Sequence, residues 1–182
     1  MVFVPLDNIA NLGEAFRKRF VMSWETFQMK HKDWIAEMGR RNCPIDRKWY
    51  DQSYMWDRMD ATYPGLSMEE ALSYLRKHSG RVFFLTEKDE KDFFQGRKTI
   101  DYIAEADANS LADQIESDWY ESYRLAEQDM YSPNALPDDL YVFDSSMKWC
   151  VVFTHETVDW EAEKAGDMIK SAQSRYCIIC EI

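Results

Sequence analysis

Apolar residues near the start of the chain recur every three or four positions, with one gap of seven. This spacing predicts a helix with one buried stripe, either continuous or broken near Met22 and Ser23. Asp7 is a candidate N-cap, and Gly39 is a candidate end. The stripe consists of Ile9, Leu12, Phe16, Phe20, Trp24, Phe27, Trp34 and Met38. We expect its members from Phe16 onward to lie in the core.

Two further helices are predicted before residue 81. One begins near Asp46 and carries the aromatic residues that follow it, up to Met59. The other begins at Ser67, because Ser67 and Glu70 have the spacing of a capping box, in which each side chain bonds the other residue's backbone amide. Gly80 lies just beyond its predicted end. The first 80 residues are therefore expected to be mainly helical.

Short apolar runs separated by turn signals predict strands in the second half of the chain. A turn at Asp144–Met147 joins two of them into a hairpin, and a helix is expected to open at Asn109 and Ser110. Consecutive apolar residues inside three strands indicate a sheet that is covered on both faces. The predicted strands are residues 81–87, 99–107, 140–143, 148–156 and 175–182.

These elements predict an α+β fold in which a mostly antiparallel sheet of about five strands is covered by helices. The N-terminal region supplies most of the helices, and residues 81–182 mix strands with further helices. Neither an internal repeat nor a low-complexity linker divides the chain. We therefore expect one domain over residues 1–182.

Charge narrows the classes of partner. The chain has 33 Asp and Glu against 22 Lys and Arg, a formal net charge of -11. Nucleic acids and anionic membranes are bound mainly through Lys and Arg, so both are unexpected partners. An acidic surface suits solubility or a basic protein partner. The absence of a long apolar run and of a secretory signal pattern predicts a cytoplasmic protein.

The cysteines raise the question of a metal site. Cys177 and Cys180 have C-x-x-C spacing, and Cys150 and His155 lie on another predicted strand, a donor set that suits zinc. Residues three apart in a strand point to opposite faces, so these thiols cannot converge. We expect core thiols and no metal or other cofactor.

The sequence Thr154-His155-Glu156 ends a buried strand and raises two alternatives. If the strand continues, His155 shares a face with Trp149, Val151 and Phe153. As a general base, His155 would need a carboxylate to orient it, and Asp144 is a candidate if the hairpin register brings the two together.

The second alternative is a recognition surface at the end of the sheet. An antiparallel hairpin draws Asp138 and Asp139 to the end that also carries His155, Glu156 and Asp159. Acids around one imidazole are expected to raise the pKa of His155 above about 6.5. This alternative is the preferred interpretation, with these five residues as the binding site.

Residues 136–156, "YMWDRM" and "RVFFLTE" resemble blocks of small acidic bacterial proteins of the immunity-protein type, which neutralise toxins. The resemblance extends over about a third of the chain and defines no reaction. It implies a bacterial cytoplasmic binding protein. From this resemblance together with the acidic charge, we expect a non-enzymatic protein that binds a protein partner such as a basic toxin or nuclease. Two other functions stay open: a hydrolase-like enzyme using His155 with a carboxylate, and a small-molecule binder with a pocket lined by Trp and Tyr.

Overall fold

The computed structural model describes residues 4–5, 9–86, 103–126, 139–166 and 174–182. The strands are β1 (Val4–Pro5), β2 (Tyr63–Leu66), β3 (Arg81–Thr86), β4 (Ile103–Asp107), β5 (Leu140–Phe143), β6 (Trp149–Thr157) and β7 (Arg175–Glu181). The helices are α1 (Ile9–Phe20), α2 (Trp24–Lys30), α3 (Lys32–Arg40), α4 (Arg47–Gln52), α5 (Met68–Lys77), α6 (Ala108–Ala126) and α7 (Trp160–Ala165), with a 3-10 turn at Trp56–Arg58.

The strands form one antiparallel sheet in the order β1-β4-β3-β5-β6-β7-β2. The predicted α+β class is confirmed, but the predicted strand number is too low. Six strands have four residues or more, and β1 adds two residues at one edge. At the other edge lies β2, which the sequence analysis missed because Pro64 and Gly65 favour a turn. An edge strand tolerates both residues, and the register shifts between Pro64 and Leu66.

Both faces of the sheet are covered, as the consecutive apolar residues predicted. On the first face, strand residues such as Val151 and Phe153 pack with α5 and α6. On the second face, strand residues such as Val152 pack with Phe16 and Phe20 of α1 and with Trp56 of the 3-10 turn. Cys177 belongs to the first cluster, whereas Cys150 and Cys180 belong to the second. The prediction that Cys177 and Cys180 point to opposite faces is therefore confirmed.

The N-terminal stripe is divided among three helices. Of the two alternatives, the break near Met22 and Ser23 is the one present, and the Ser23 hydroxyl caps α2 by accepting a hydrogen bond from the Thr26 amide at 3.2 Å. A second break lies at His31, between α2 and α3. Phe16, Phe20 and Phe27 are buried as expected, but Trp34 is 42 % exposed. Its assignment to the core is wrong, because α3, which begins after the second break, buries none of its residues.

Two predicted helix starts are confirmed, and one predicted helix end is wrong. Asp46 caps α4, and the capping box of Ser67 and Glu70 is present at the start of α5. Gly39 does not end α3. That helix continues to Arg40, and Asn42 takes the left-handed conformation that lets the Cys43 amide bond the Met38 carbonyl at 3.0 Å. The expected N-cap at position 7 lies outside the described residues.

The helix predicted from residue 46 to residue 59 is shorter than expected. It ends at Gln52, and the 3-10 turn follows as a separate element. Tyr54, just before this turn, and Trp56 and Asp57 within it lie near the end of β6. Within the part of the chain that the structure describes, no helix is both long and apolar enough to cross a membrane.

Candidate functional site

A histidine and an aspartate meet at the open end of the β5–β6 hairpin. Leu140 pairs with Phe153, so Asp139, just before β5, lies beside the residues that follow Phe153. The Asp139 carboxylate accepts a hydrogen bond from the His155 amide at 3.1 Å, and its Oδ2 lies 2.9 Å from the ring nitrogen Nδ1. The Asp139 side chain is mostly buried, whereas that of His155 is 36 % exposed. Asp139 therefore fixes the orientation of an accessible imidazole.

A bulge in β6 decides which way His155 faces. Phe153 pairs with Cys177 and Thr157 pairs with Arg175, so four steps along β6 oppose two along β7. The alternation of side chains between the two faces of the sheet stops at this bulge. The centre of the His155 ring lies 4.8 Å from the centre of the Tyr54 ring. The prediction that His155 shares the face of Phe153 is wrong, because the two extra residues turn it toward the second face.

Thr154 holds the bulge together at a buried position. Its hydroxyl donates to the Tyr176 carbonyl at 2.7 Å and accepts from the Glu156 amide at 3.2 Å. Its own carbonyl accepts from Nε of Arg175, which is also buried. These hydrogen bonds satisfy backbone N–H and C=O groups that lose their partners where the bulge interrupts the pairing of β6 with β7.

Three aromatic rings form a wall next to His155. Tyr54 stacks on Trp56 with ring centroids 5.8 Å apart and planes 8° apart, and Tyr176 lies 6.2 Å from Trp56. The Tyr54 residue is 39 % exposed, whereas Trp56 is buried. The indole nitrogen of Trp56 has no hydrogen-bond partner in the structure as described.

Two carboxylates flank this wall. The pKa of Asp57 is raised to about 6, mainly by burial and also by the charge of Glu156. A hydrogen bond from the Tyr54 amide and the charges of Arg58 and His155 oppose the rise. Burial and the charges of Glu156 and Asp57 also raise the pKa of Tyr176. No hydrogen-bond or ion-pair partner reaches the Glu156 carboxylate from the described residues.

The predicted rise in the pKa of His155 is confirmed. Its largest cause is the hydrogen bond to Asp139, which burial opposes. The charges of Asp139 and Glu156 add to the rise, and Arg175 counteracts it. The acidic surroundings inferred from the hairpin thus have the expected electrostatic effect.

Asp144 is not the partner of His155. It lies at the turn, the opposite end of the hairpin, where its carboxylate accepts from the Ser146 amide at 2.9 Å and from the indole of Trp149 at 3.0 Å. The antiparallel register, with Phe143 opposite Cys150, keeps the two ends apart. The candidate pair of His155 with Asp144 is therefore wrong.

The other residues of the predicted binding site do not all lie next to His155. Glu156 lies beside His155 on the bulge. Asp159 caps α7 by accepting from the Ala162 amide at 2.9 Å, which gives it a structural role. Asp138 lies outside the described residues. Sequence reasoning assigned no role to Tyr54, Trp56 or Asp57, because nothing local to them indicates that a 3-10 turn meets the end of a distant strand.

The titratable groups at the site are one imidazole and three carboxylates, those of His155, Asp57, Asp139 and Glu156. In the described ranges, no group of three or more His, Cys, Asp and Glu could hold a metal ion. Burial raises the pKa of the Cys177 and Cys180 thiols to about 12, which disfavours the thiolate that metals require. The accessible imidazole, the carboxylates and the exposed Tyr54 ring are the chemically active groups.

Comparisons with protein-family models, with curated proteins and with solved structures find no match. The resemblance to immunity-type proteins stays a prediction.

Proposed function

We propose that this chain is a cytoplasmic, non-enzymatic binding protein that holds a basic protein partner through the His155 surface. We define that surface as Tyr54, Asp57, Asp139, His155 and Glu156. The observation that carries the proposal is the Glu156 carboxylate, which has no partner among the described residues and stands beside the charge of Asp57. Two neighbouring acids whose charges Arg58 and His155 offset only in part suit a cation brought by another molecule.

Local cations leave this charge partly uncompensated. The Arg58 guanidinium lies over the Tyr50 ring at 5.0 Å, and its Nε donates to the Tyr54 carbonyl. Arg175 is buried and donates to the Thr154 carbonyl. Both side chains are thus committed to holding the backbone. The formal net charge of -11 adds a long-range field that attracts basic molecules.

Tyr54 adds an aromatic contact to this charge. Interfaces derive much of their binding energy from aromatic residues near the centre of the contact, with charged groups that set orientation and association rate. Tyr54 is exposed while its stacking on Trp56 holds its ring in place. Neutralisation of a basic toxin, the function that the sequence resemblance implies, is the form of this proposal that we favour.

The test begins with capture of partners from bacterial lysate and purification of the basic protein that is recovered. Its association rate is then measured against the wild-type chain and against a double variant, Asp57→Asn with Glu156→Gln. We expect slower association of the double variant at about 0.05 M salt, and a difference that shrinks at about 0.5 M as screening removes the steering.

A charge-matched control separates the site from the overall charge. Glu69→Gln with Asp33→Asn also removes two exposed acids, on α5 and α3, and should leave the rate nearer to wild type. Unchanged association of the Asp57 and Glu156 variant at low salt would mean that the partner binds elsewhere.

A second candidate function is general-base hydrolysis by His155. It is favoured by the pairing of Nδ1 with Asp139, which leaves Nε2 without a hydrogen-bond partner in the described part of the chain. An imidazole held in this way can take a proton from water. Turnover of an ester, amide or phosphodiester that is lost in His155→Ala and strongly reduced in Asp139→Asn, with unfolding transitions intact, would replace the binding proposal.

A further inference from the structure

We infer that the His155 surface holds its basic partner above neutral pH and releases it as the pH falls to about 5, because His155 and Asp57 each take up a proton. This inference rests on the proposed function and describes how the same surface is regulated. It depends on two titratable side chains, on the groups around them, and on the direction in which each proton changes the charge of the surface.

His155 is the first titratable group, and its imidazole is joined to a carboxylate. Nδ1 lies 2.9 Å from Oδ2 of Asp139, whose side chain is mostly buried, whereas the His155 side chain is partly exposed. The hydrogen bond to Asp139 and the charges of Asp139 and Glu156 raise the pKa of His155, against burial and Arg175. The ring can therefore take up a proton from solvent near neutral pH.

Asp57 is the second titratable group, and it is partly buried in the 3-10 turn. Its carboxylate accepts a hydrogen bond from the Tyr54 amide at 3.1 Å. Burial and the charge of Glu156 raise the pKa of Asp57 to about 6, whereas the Tyr54 amide, Arg58 and His155 oppose the rise. Asp57 therefore takes up its proton at a higher pH than an ordinary carboxylate does.

Both protons change the charge of the surface in the same direction. With a neutral imidazole, the carboxylates of Asp57, Asp139 and Glu156 give a formal charge of -3. A proton on Asp57 removes one negative charge and a proton on His155 adds a positive one, which leaves -1. The Tyr176 phenol stays neutral, because burial and the nearby acids raise its pKa. The attraction for a basic partner is therefore much weaker after the two protons are bound.

The other charges of the described residues near this surface change little over the same range. Arginine and lysine stay protonated between pH 8 and pH 5, and most exposed carboxylates stay ionised. The other two histidines lie elsewhere: His31 between α2 and α3, and His78 stacked on Trp149 near the hairpin turn. Asp57 and His155 are thus the groups through which acidification acts on this surface.

The experiment is an NMR titration of the full chain with N-acetyl-octalysine amide, a probe whose charge is the same at pH 8 and at pH 5. Signals of the Glu156 side-chain methylenes report binding at the surface. At about 0.05 M salt, we expect the affinity for the probe to fall about tenfold between pH 8 and pH 5. By linkage, saturating probe should lower the midpoint of the His155 titration, because the probe favours the unprotonated ring.

Variants assign the pH dependence to the two groups. Asp57→Asn with His155→Gln removes both sites of proton uptake, so its affinity should be the same at both pH values. Asp33→Asn with Glu69→Gln, two exposed acids on α3 and α5, should keep the full fall. Circular dichroism at both pH values checks that each protein is folded.

Two results would overturn the inference. One is equal affinity of the wild type at pH 8 and pH 5, and the other is a full fall that persists in Asp57→Asn with His155→Gln. If that double variant does not fold, the two single variants decide, and an undiminished fall in both of them has the same meaning.

The two proposals fail in different ways. If Asp57→Asn with Glu156→Gln slows association of the captured partner but the wild-type affinity for octalysine is equal at the two pH values, the regulation is wrong and the binding surface stands. If the affinity for octalysine depends on pH as expected but the captured partner associates with that variant at the wild-type rate, the regulation stands and the partner's use of the surface is wrong.

Discussion

The β5–β6 hairpin carries an aspartate at each end, and the two ends are built differently. At the turn, Asp144 accepts hydrogen bonds from Ser146 and Trp149, which lie within five residues of it in the chain. At the bulge, Asp139 bonds His155, 16 residues away. The turn end is a closed local structure. The bulge end is assembled from β5, β6, β7 and the 3-10 turn, and it keeps exposed rings and charges.

Under the proposed function, the turn end of the hairpin contributes to stability and the bulge end contributes to binding. Trp149 at the turn end is buried, and its ring stacks with His78 at 4.1 Å. At the bulge end, Asp57 carries a charge that its surroundings disfavour. Groups with strongly shifted pKa values cluster at functional sites, because function needs charges that folding alone would not retain.

The largest expected effect is the difference in stability between variants of Trp149, at the turn end, and of His155, at the bulge end. Trp149→Ala should lower the free energy of unfolding by about 3–5 kcal/mol, because it removes a large buried ring. His155→Ala should lower it by less than about 1 kcal/mol, because that ring is partly exposed and the Asp139 carboxylate keeps its hydrogen bond from the backbone amide of residue 155. Denaturant unfolding of both variants measures this, and equal losses would show that His155 is a core residue.

The second prediction concerns Asp144 and its local hydrogen bonds. Burial tends to raise the pKa of Asp144, but bonds from Ser146 and Trp149 outweigh it and lower the pKa. A lowered pKa stabilises the fold above the unfolded value of about 3.9, and this contribution is lost as pH falls through the folded value. Asp144→Ala should cost about 1–2 kcal/mol at pH 7, and the cost should fall as the carboxylate is protonated at acid pH. If the loss of stability in Asp144→Ala does not change with pH, the charge of the carboxylate does not contribute to stability.

The third prediction concerns Asp57, whose pKa is raised by the fold, whereas that of Asp144 is lowered. The pKa of Asp57 is raised to about 6 in the folded chain, so its proton favours folding at about pH 4, and a penalty grows as pH rises through 6. Asp57→Asn keeps the acceptor for the Tyr54 amide and removes the charge. After solvent screening, we expect about 1 kcal/mol of added stability at pH 8 and little change at pH 4. Destabilisation at pH 8 would mean that the charge supports the fold.

The smallest effect concerns the pKa of His155. NMR titration should give a value above about 6.5 in the wild type and a lower one in Asp139→Asn, because the main hydrogen bond to the imidazolium is lost. The pairing of protonated His155 with Asp139 stabilises the fold fully below about pH 6.5. This stabilisation, which is below about 1 kcal/mol, is lost as pH rises through the pKa of His155 in the folded chain. Asp144→Asn is the matched control, and an equal fall there would contradict the pairing with Asp139.

Much of the fold follows from local patterns that need no distant contact. The capping box at Ser67, the cap at Asp46 and the hairpin turn after Phe143 each depend on residues a few positions apart. The opposite faces of Cys177 and Cys180 follow from the two-residue period of a strand. The raised pKa of His155 also followed from sequence, because an antiparallel hairpin brings its two open ends together whatever else surrounds them.

By itself, the sequence determined the α+β class, the two-sided core and the meeting of Asp139 with His155. The tertiary structure alone decided that β6 takes two extra residues opposite β7, which turned His155 toward Tyr54. It also decided that the helix after Asp46 ends early, so that Trp56 and Asp57 reach the same place. The physical reason is that a bulge or a short turn changes local backbone energy little, and packing between distant segments selects it.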